Sequence, residues 1–102
     1  MARYDRAVMV RDNGWTEEQA QVLLDCLNLS GSVPNWKPEH LQRLHDWCSA
    51  RRKNYQTIDA QLEFVAYDLC SIHTTVGMAL KQATTREAAR SAVGRYVKTL
   101  QR

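Results

Sequence analysis

Few side chains of this chain are spaced for chemistry. His45 and Cys48 stand three residues apart, a helical spacing that could make a thiol–imidazole pair or offer two ligands to a metal. Two ligands do not complete a zinc site, no CxxC accompanies them, and one helical turn does not set an attack geometry. The pair therefore reads as a buried thiol beside a rim histidine, and no metal ligand is assigned. The carboxylates are the other reactive set. Glycoside cleavage needs a carboxylic acid kept protonated in a partly apolar site, with a second carboxylate or a held water attacking. Glu17, Glu18 and Glu39 fall in the first turns of helices, where the dipole favours the charged form. Asp25, Glu63 and Asp68 lie within helices. There is no P-loop and no GxGxxG, so phosphate cradling by a Gly-rich loop is excluded. No catalytic residue and no cofactor is assigned.

The elements that must position these groups are helices. The 102 residues suffice for one small domain, and 44% apolar with 25% charged residues is ordinary for a globular chain. No apolar run reaches the ~18 residues of a membrane span, and Met1 to Val10, with Arg3, Asp5 and Arg6, lacks the apolar core of a secretory signal. Cys26, Cys48 and Cys70 cannot all pair with one another, so reduced, buried thiols are expected. The net charge of +3 is unevenly spread. Lys37 to Lys53 carries five bases against two acids, and Lys81 to Arg102 six bases against Glu87.

Five helices are expected, in a compact all-α single domain over residues 14–102, preceded by an N-terminal segment, 1–13. Thr16-Glu17-Glu18-Gln19 fits a capping box, followed by Val22, Leu23, Cys26 and Leu27 on one face and a stop near Ser30-Gly31. Pro38 suits the first turn of a second helix, with Leu41, Leu44, His45 and Cys48 inward, Trp47 at the margin and Asn54 closing it. The third starts after Thr57 and repeats Leu62, Val65, Ala66, Leu69 and Cys70 at threes and fours, widened by Phe64 and Tyr67. His73-Thr74-Thr75 breaks it, and a short helix spans Val76 to Ala83. Thr84-Thr85-Arg86-Glu87 reads as a second capping box, opening a last helix with a basic face of Arg86, Arg90, Lys98 and Arg102 and with Arg95 at its edge.

Four segments in order resemble the phage tail lysozyme family of the lysozyme-like superfamily. Gly14-Trp15-Thr16-Glu17-Glu18-Gln19-Ala20 is similar to the family's first helix start. Asn35-Trp36 followed by Leu41-Gln42-Arg43-Leu44 is similar to its Gln-Trp and Arg-Leu helix. Gln61-Leu62-Glu63-Phe64 with Asp68-Leu69 resembles its Gln-Leu-acidic-aromatic helix, and Ala83-Thr84-Thr85-Arg86-Glu87-Ala88-Ala89 its late Ala-Thr-Thr start. The resemblance implies a general acid in a Glu-Ser-Gly element ending the first helix. Here the stretch is Asn28-Leu29-Ser30-Gly31, so Leu29 stands at the acid's position, and Ser30 to Asn35 leaves no room for the Gly-rich wall of the sugar cleft. The chain thus reads as a truncated, degenerate member.

A leucine cannot donate a proton, so the expectation is a non-catalytic, phage- or prophage-encoded protein. It would bind a protein partner (a virion component or a host or defence factor) through the surface the missing lobe bares: Asn28, Leu29, Val33, Asn35, Trp36 and Tyr67. Covering that surface could also involve self-association. One alternative is peptidoglycan binding or weak glycosidase activity, since sugars stack on exposed Trp. Another is a small helix-turn-helix DNA-binding protein, with Ala66 as the small residue of the first helix, Cys70 at the turn position that usually holds Gly, Val76 and Ala79 anchoring a second helix that exposes Thr74, Thr75 and Lys81, and the last helix on phosphates. The setting implied is the cytoplasm of the infected host, or the virion.

Overall fold

Gln19 shows how this sequence closes on itself. In the computed structural model, which describes residues 6–27, 29 and 32–101, the Thr16 N–H donates to Gln19 Oε1 (3.0 Å) and the Gln19 N–H to Thr16 Oγ1 (3.1 Å). That is the reciprocal capping box expected. The same amide donates from Nε2 to the carbonyls of Lys81 and Ala83, 3.0 Å each, tying the start of one helix to the end of another 62 residues later.

The protein is an all-α single domain. Helices α1 (Arg6–Asn13), α2 (Glu17–Leu27), α3 (Pro38–Ala50), α4 (Ile58–Ser71), α5 (Thr74–Gln82) and α6 (Arg86–Leu100) follow in order. The described residues form no strand; a lone antiparallel bridge joins Trp36 to Gln101. The most extensive packing is α2 on α6, then α5 on α6 and α4 on α5. The radius of gyration, 12.7 Å, matches the ~13 Å of a compact domain of this length.

The five expected helices are present and α1 precedes them. Its sequence hid it, because only Met9 of its eight residues is buried and one inward side chain leaves no periodic stripe. Gly14 ends it at φ +73°, with its N–H bonded to the Val10 carbonyl, a left-handed C-cap. The expected stop at Ser30-Gly31 lies outside the described residues.

Several boundaries and faces differ from expectation. α3 ends at Ala50, earlier than Asn54, because Arg52 takes φ +57° and the Lys53 N–H turns back to the Cys48 carbonyl. Its inner face is His40, Leu44, Trp47 and Cys48, with Leu41 half-buried and His45 exposed. α5 begins at Thr74, two residues early, since the Asp68 carbonyl takes the N–H groups of both Ile72 and His73 and turns the chain sooner. The cap of α6 is Thr85, which accepts from the Ala88 N–H at 3.1 Å. Thr84 is not the cap, so the third helical residue is Ala88 and the box lacks its returning carboxylate.

The core is built on α4, whose Ala60, Gln61, Leu62, Phe64, Val65, Ala66, Asp68 and Leu69 are all buried. Gly77 lets α5 lie against it. A Cβ there would sit 2.1 Å from the Leu69 carbonyl oxygen, so only glycine allows this approach.

Candidate functional site

The linker between α2 and α3 carries most of the predicted binding residues. It is held from three sides. The Lys37 N–H donates to the Leu100 carbonyl at 2.6 Å, Trp36 bridges to Gln101, and the buried Gln61 amide donates to the carbonyls of Ser32 (2.6 Å) and Tyr55 (3.0 Å). Gln61 thus fixes the start of the linker to α4.

These ties shape a shallow groove of about 290 Å³ lined by Leu27, Leu29, Val33, Pro34, Asn35, Trp36 and Gln101. It brings together four of the predicted residues, Leu29, Val33, Asn35 and Trp36. No described side chain lining it carries a carboxyl group or any other titratable group. Trp36, expected on a bared surface, is only 3% exposed. The short linker folds its indole inward, 6.2 Å from the Phe64 ring, so that it fills the space an exposed apolar patch would have left. Val33, 45% exposed, and Asn35 form the open rim, and Leu29 is half-buried. Asn28 lies outside the described residues.

Tyr67 does not belong to the groove. It is 38% exposed on the outer side of α4, its ring 5.8 Å from Trp47, and the Arg51 guanidinium lies 4.3 Å above Trp47 and 5.5 Å from Tyr67. This is a cation–π stack that covers the end of α3. Cys70, expected on the apolar stripe, is exposed with its Sγ 3.2 Å from Asn13 Oδ1. Cys48 is buried and Cys26 half-buried. Burial raises the Cys48 thiol pKa, and His45 faces solvent edge-on to Tyr55 at 5.2 Å, so the two form no reactive pair.

The strongest charge constellation went unrecognised in the sequence. Asp68 is fully buried, and its carboxylate accepts from the Arg43 guanidinium on Oδ1. On Oδ2 it accepts from the Tyr96 hydroxyl at 2.7 Å and His73 Nδ1 at 2.9 Å. Arg43 Nη1 also lies 3.5 Å from His40 Nδ1. One carboxylate therefore joins α3, α4, α6 and the turn before α5. Burial, followed by the Arg43 charge, lowers the His40 pKa. Burial and the adjacent Asp68 push the Tyr96 phenol far upward. With its oxygens occupied and no exposure, Asp68 has the geometry of a structural tie and offers no accessible proton.

Three other acids are engaged at the surface. Glu63 meets Lys53 at 2.9 Å, Glu18 meets Arg86 at 3.4 Å, and Asp25 accepts from Gln21 at 2.7 Å. Among the described residues no group of three or more His, Cys, Asp or Glu could hold a metal ion, and no helix is long and apolar enough to cross a membrane. Of the predicted basic face, Arg90 and Lys98 are exposed, Arg86 is committed to Glu18, and Arg102 lies outside the described residues.

Fold and site together define a small helical domain with a charge cluster centred on one buried carboxylate and a groove at its α2–α3 linker whose described lining carries no ionisable side chain. No protein-family model matches the chain, and the searches of curated proteins and of solved structures found no match either.

Proposed function

We propose that this chain is a non-catalytic, phage- or prophage-encoded protein of lysozyme-like descent that binds a protein partner through the rim of the α2–α3 groove. The supporting observation is the groove's lining. Leu29 stands where the resemblance puts the general acid, and the other described lining residues, Leu27, Val33, Pro34, Asn35, Trp36 and Gln101, offer no acid to protonate a leaving oxygen. Such a lining suits recognition. Val33 offers an apolar anchor, Asn35 can hydrogen-bond, and the backbone beneath is preorganised by Gln61, Leu100 and Gln101, which lowers the ordering cost of binding. The partner class is a virion component or a host factor.

The test compares the native chain with Val33→Glu, a substitution at an exposed position that leaves the core untouched. Both are used as bait against infected-host extract and virion proteins, with quantitative mass spectrometry of what each retains. A protein held by the native chain and lost at least tenfold by Val33→Glu supports the reading. Equal retention of every captured protein overturns it. Clearing of a peptidoglycan suspension by the purified chain would overturn the non-catalytic half.

A further inference from the structure

The outer face of α6 lies apart from the groove lining and carries three exposed bases. α6 buries Ala89, Ala92, Val93, Tyr96 and Leu100. At 100° per residue the opposite side is centred on Ser91, Gly94 and Lys98, with Arg90 and Arg95 flanking that line on its two sides. Arg90, Arg95 and Lys98 are exposed, and no described carboxylate pairs with them. The one acid on the helix, Glu87, stands on this same side one turn before Arg90, in its first turn, and is in no ion pair with it.

Gly94 supplies a second observation. A glycine inside a helix weakens it relative to alanine, and folds tolerate that where a neighbour needs the space, as at Gly77. At Gly94 a Cβ would meet nothing within 4 Å. No described residue requires this glycine. Its effect is external: with Ser91 it leaves a small-residue floor between two arginines, with a lysine one turn further on.

We propose that this strip binds the phosphate backbone of a nucleic acid, without reading its sequence. Arg90 to Lys98 spans about 12 Å of helix, enough to engage successive phosphates of one strand. Arginine forks match phosphate oxygens bidentately, and the bare floor admits a continuous backbone. An acidic protein partner fits less well. Protein interfaces rest on buried aromatic or aliphatic anchors, and the exposed large apolar residues, Val33, Ile58, Tyr67, Ile72 and Met78, all lie off α6.

Fluorescence anisotropy of a labelled 20-base-pair duplex and a 20-nucleotide single strand tests this. Three phosphate contacts predict a log–log salt slope of about −3 on duplex, hence roughly 40-fold weaker binding at 200 mM than at 50 mM salt. The triple variant Arg90→Gln/Arg95→Gln/Lys98→Gln should lose binding and slope together while keeping its circular dichroism. Gly94→Leu should raise the Tm and yet weaken binding at least tenfold, a combination that damage to the fold cannot produce. Unchanged binding in both variants overturns the proposal. So does preference for poly-glutamate or for anionic phosphatidylserine vesicles over the duplex at equal charge, because the face would then serve an acidic protein or a membrane. Loss of partner capture by Val33→Glu has no bearing on this strip, so the two readings fail separately.

Discussion

Asp68 and the outer strip of α6 treat charge in opposite ways. Around Asp68, Arg43, His73 and Tyr96 converge on one buried carboxylate and occupy both its oxygens. On α6, Arg90, Arg95 and Lys98 stand in solvent and no described carboxylate forms an ion pair with them. The two glycines repeat the contrast: Gly77 is demanded by a backbone oxygen, and Gly94 by none of the described residues. Inside, geometry satisfies each charge and excludes substitution; outside, charge and space are left over. Residues that the fold uses up explain stability, and residues the fold does not need are where binding is to be sought.

The largest effect should come from breaking the inner arrangement. Arg43→Ala leaves a fully buried carboxylate without its cation and should cost about 3–5 kcal/mol by urea unfolding. Against a typical total of roughly 5–15 kcal/mol for a domain, that is enough to leave the fold marginal. A loss below about 1 kcal/mol would mean that Asp68 is not held as described. Gly77→Ala should cost about 3 kcal/mol, the upper end for overpacking, because the Leu69 carbonyl belongs to a helix and cannot swing aside. Tyr96→Phe removes one hydrogen bond to a charged acceptor and should cost about 2 kcal/mol.

Tyr96 and His40 also give the inner region a pH signature. The folded Tyr96 phenol holds its proton more tightly than the unfolded one. Above about pH 10 the unfolded chain therefore ionises first and stability falls; Tyr96→Phe should make that fall shallower, leaving the part due to the buried Cys48 thiol. His40 is shifted the other way, since burial lowers its folded pKa. Its contribution is complete above the unfolded value of about 6.5, and as pH drops below that value the unfolded state takes the proton first. Urea midpoints measured from pH 8 to 5 should decline, and His40→Gln should flatten the decline. A decline unchanged in His40→Gln would move its origin elsewhere.

The fold class and the order of five helices were legible because capping residues and three-and-four apolar spacing are local signals. Thr16, Pro38 and Thr57 each start a helix within one residue of where the sequence places it. What escaped depended on contacts between distant segments. Met9 is buried in the core from α1, a helix that packs on α2 and α4 with no stripe of its own. Trp36 turns inward because Leu100 and Gln101 capture the linker backbone, which no local pattern announces. Asp68 and Gln61 did leave a trace: both are polar residues in register with the buried Phe64 and Val65 of α4. A polar side chain on the apolar stripe of a core helix must find partners, and asking where Asp68 finds its cation would have led to Arg43. Tyr67 and Cys70 depart in the other direction: their spacing extends the apolar stripe, yet both stand exposed at its edge.

The smallest expected change sharpens the outer half of the contrast most. Gly94→Ala adds a methyl group into open space on an exposed helix face, so it should stabilise the chain by about 0.5–1 kcal/mol. The same substitution at Gly77 destabilises, and the opposite signs of two identical chemical changes isolate packing from propensity. A single methyl leaves most of the floor between Arg90 and Arg95 open, so affinity for duplex DNA should fall only two- to threefold, far less than with Gly94→Leu. A gain in stability, with binding declining in step with side-chain size, ties this glycine to something outside the fold. Destabilisation by Gly94→Ala would instead place an internal neighbour over that face, and the strip would lose its claim to be spare.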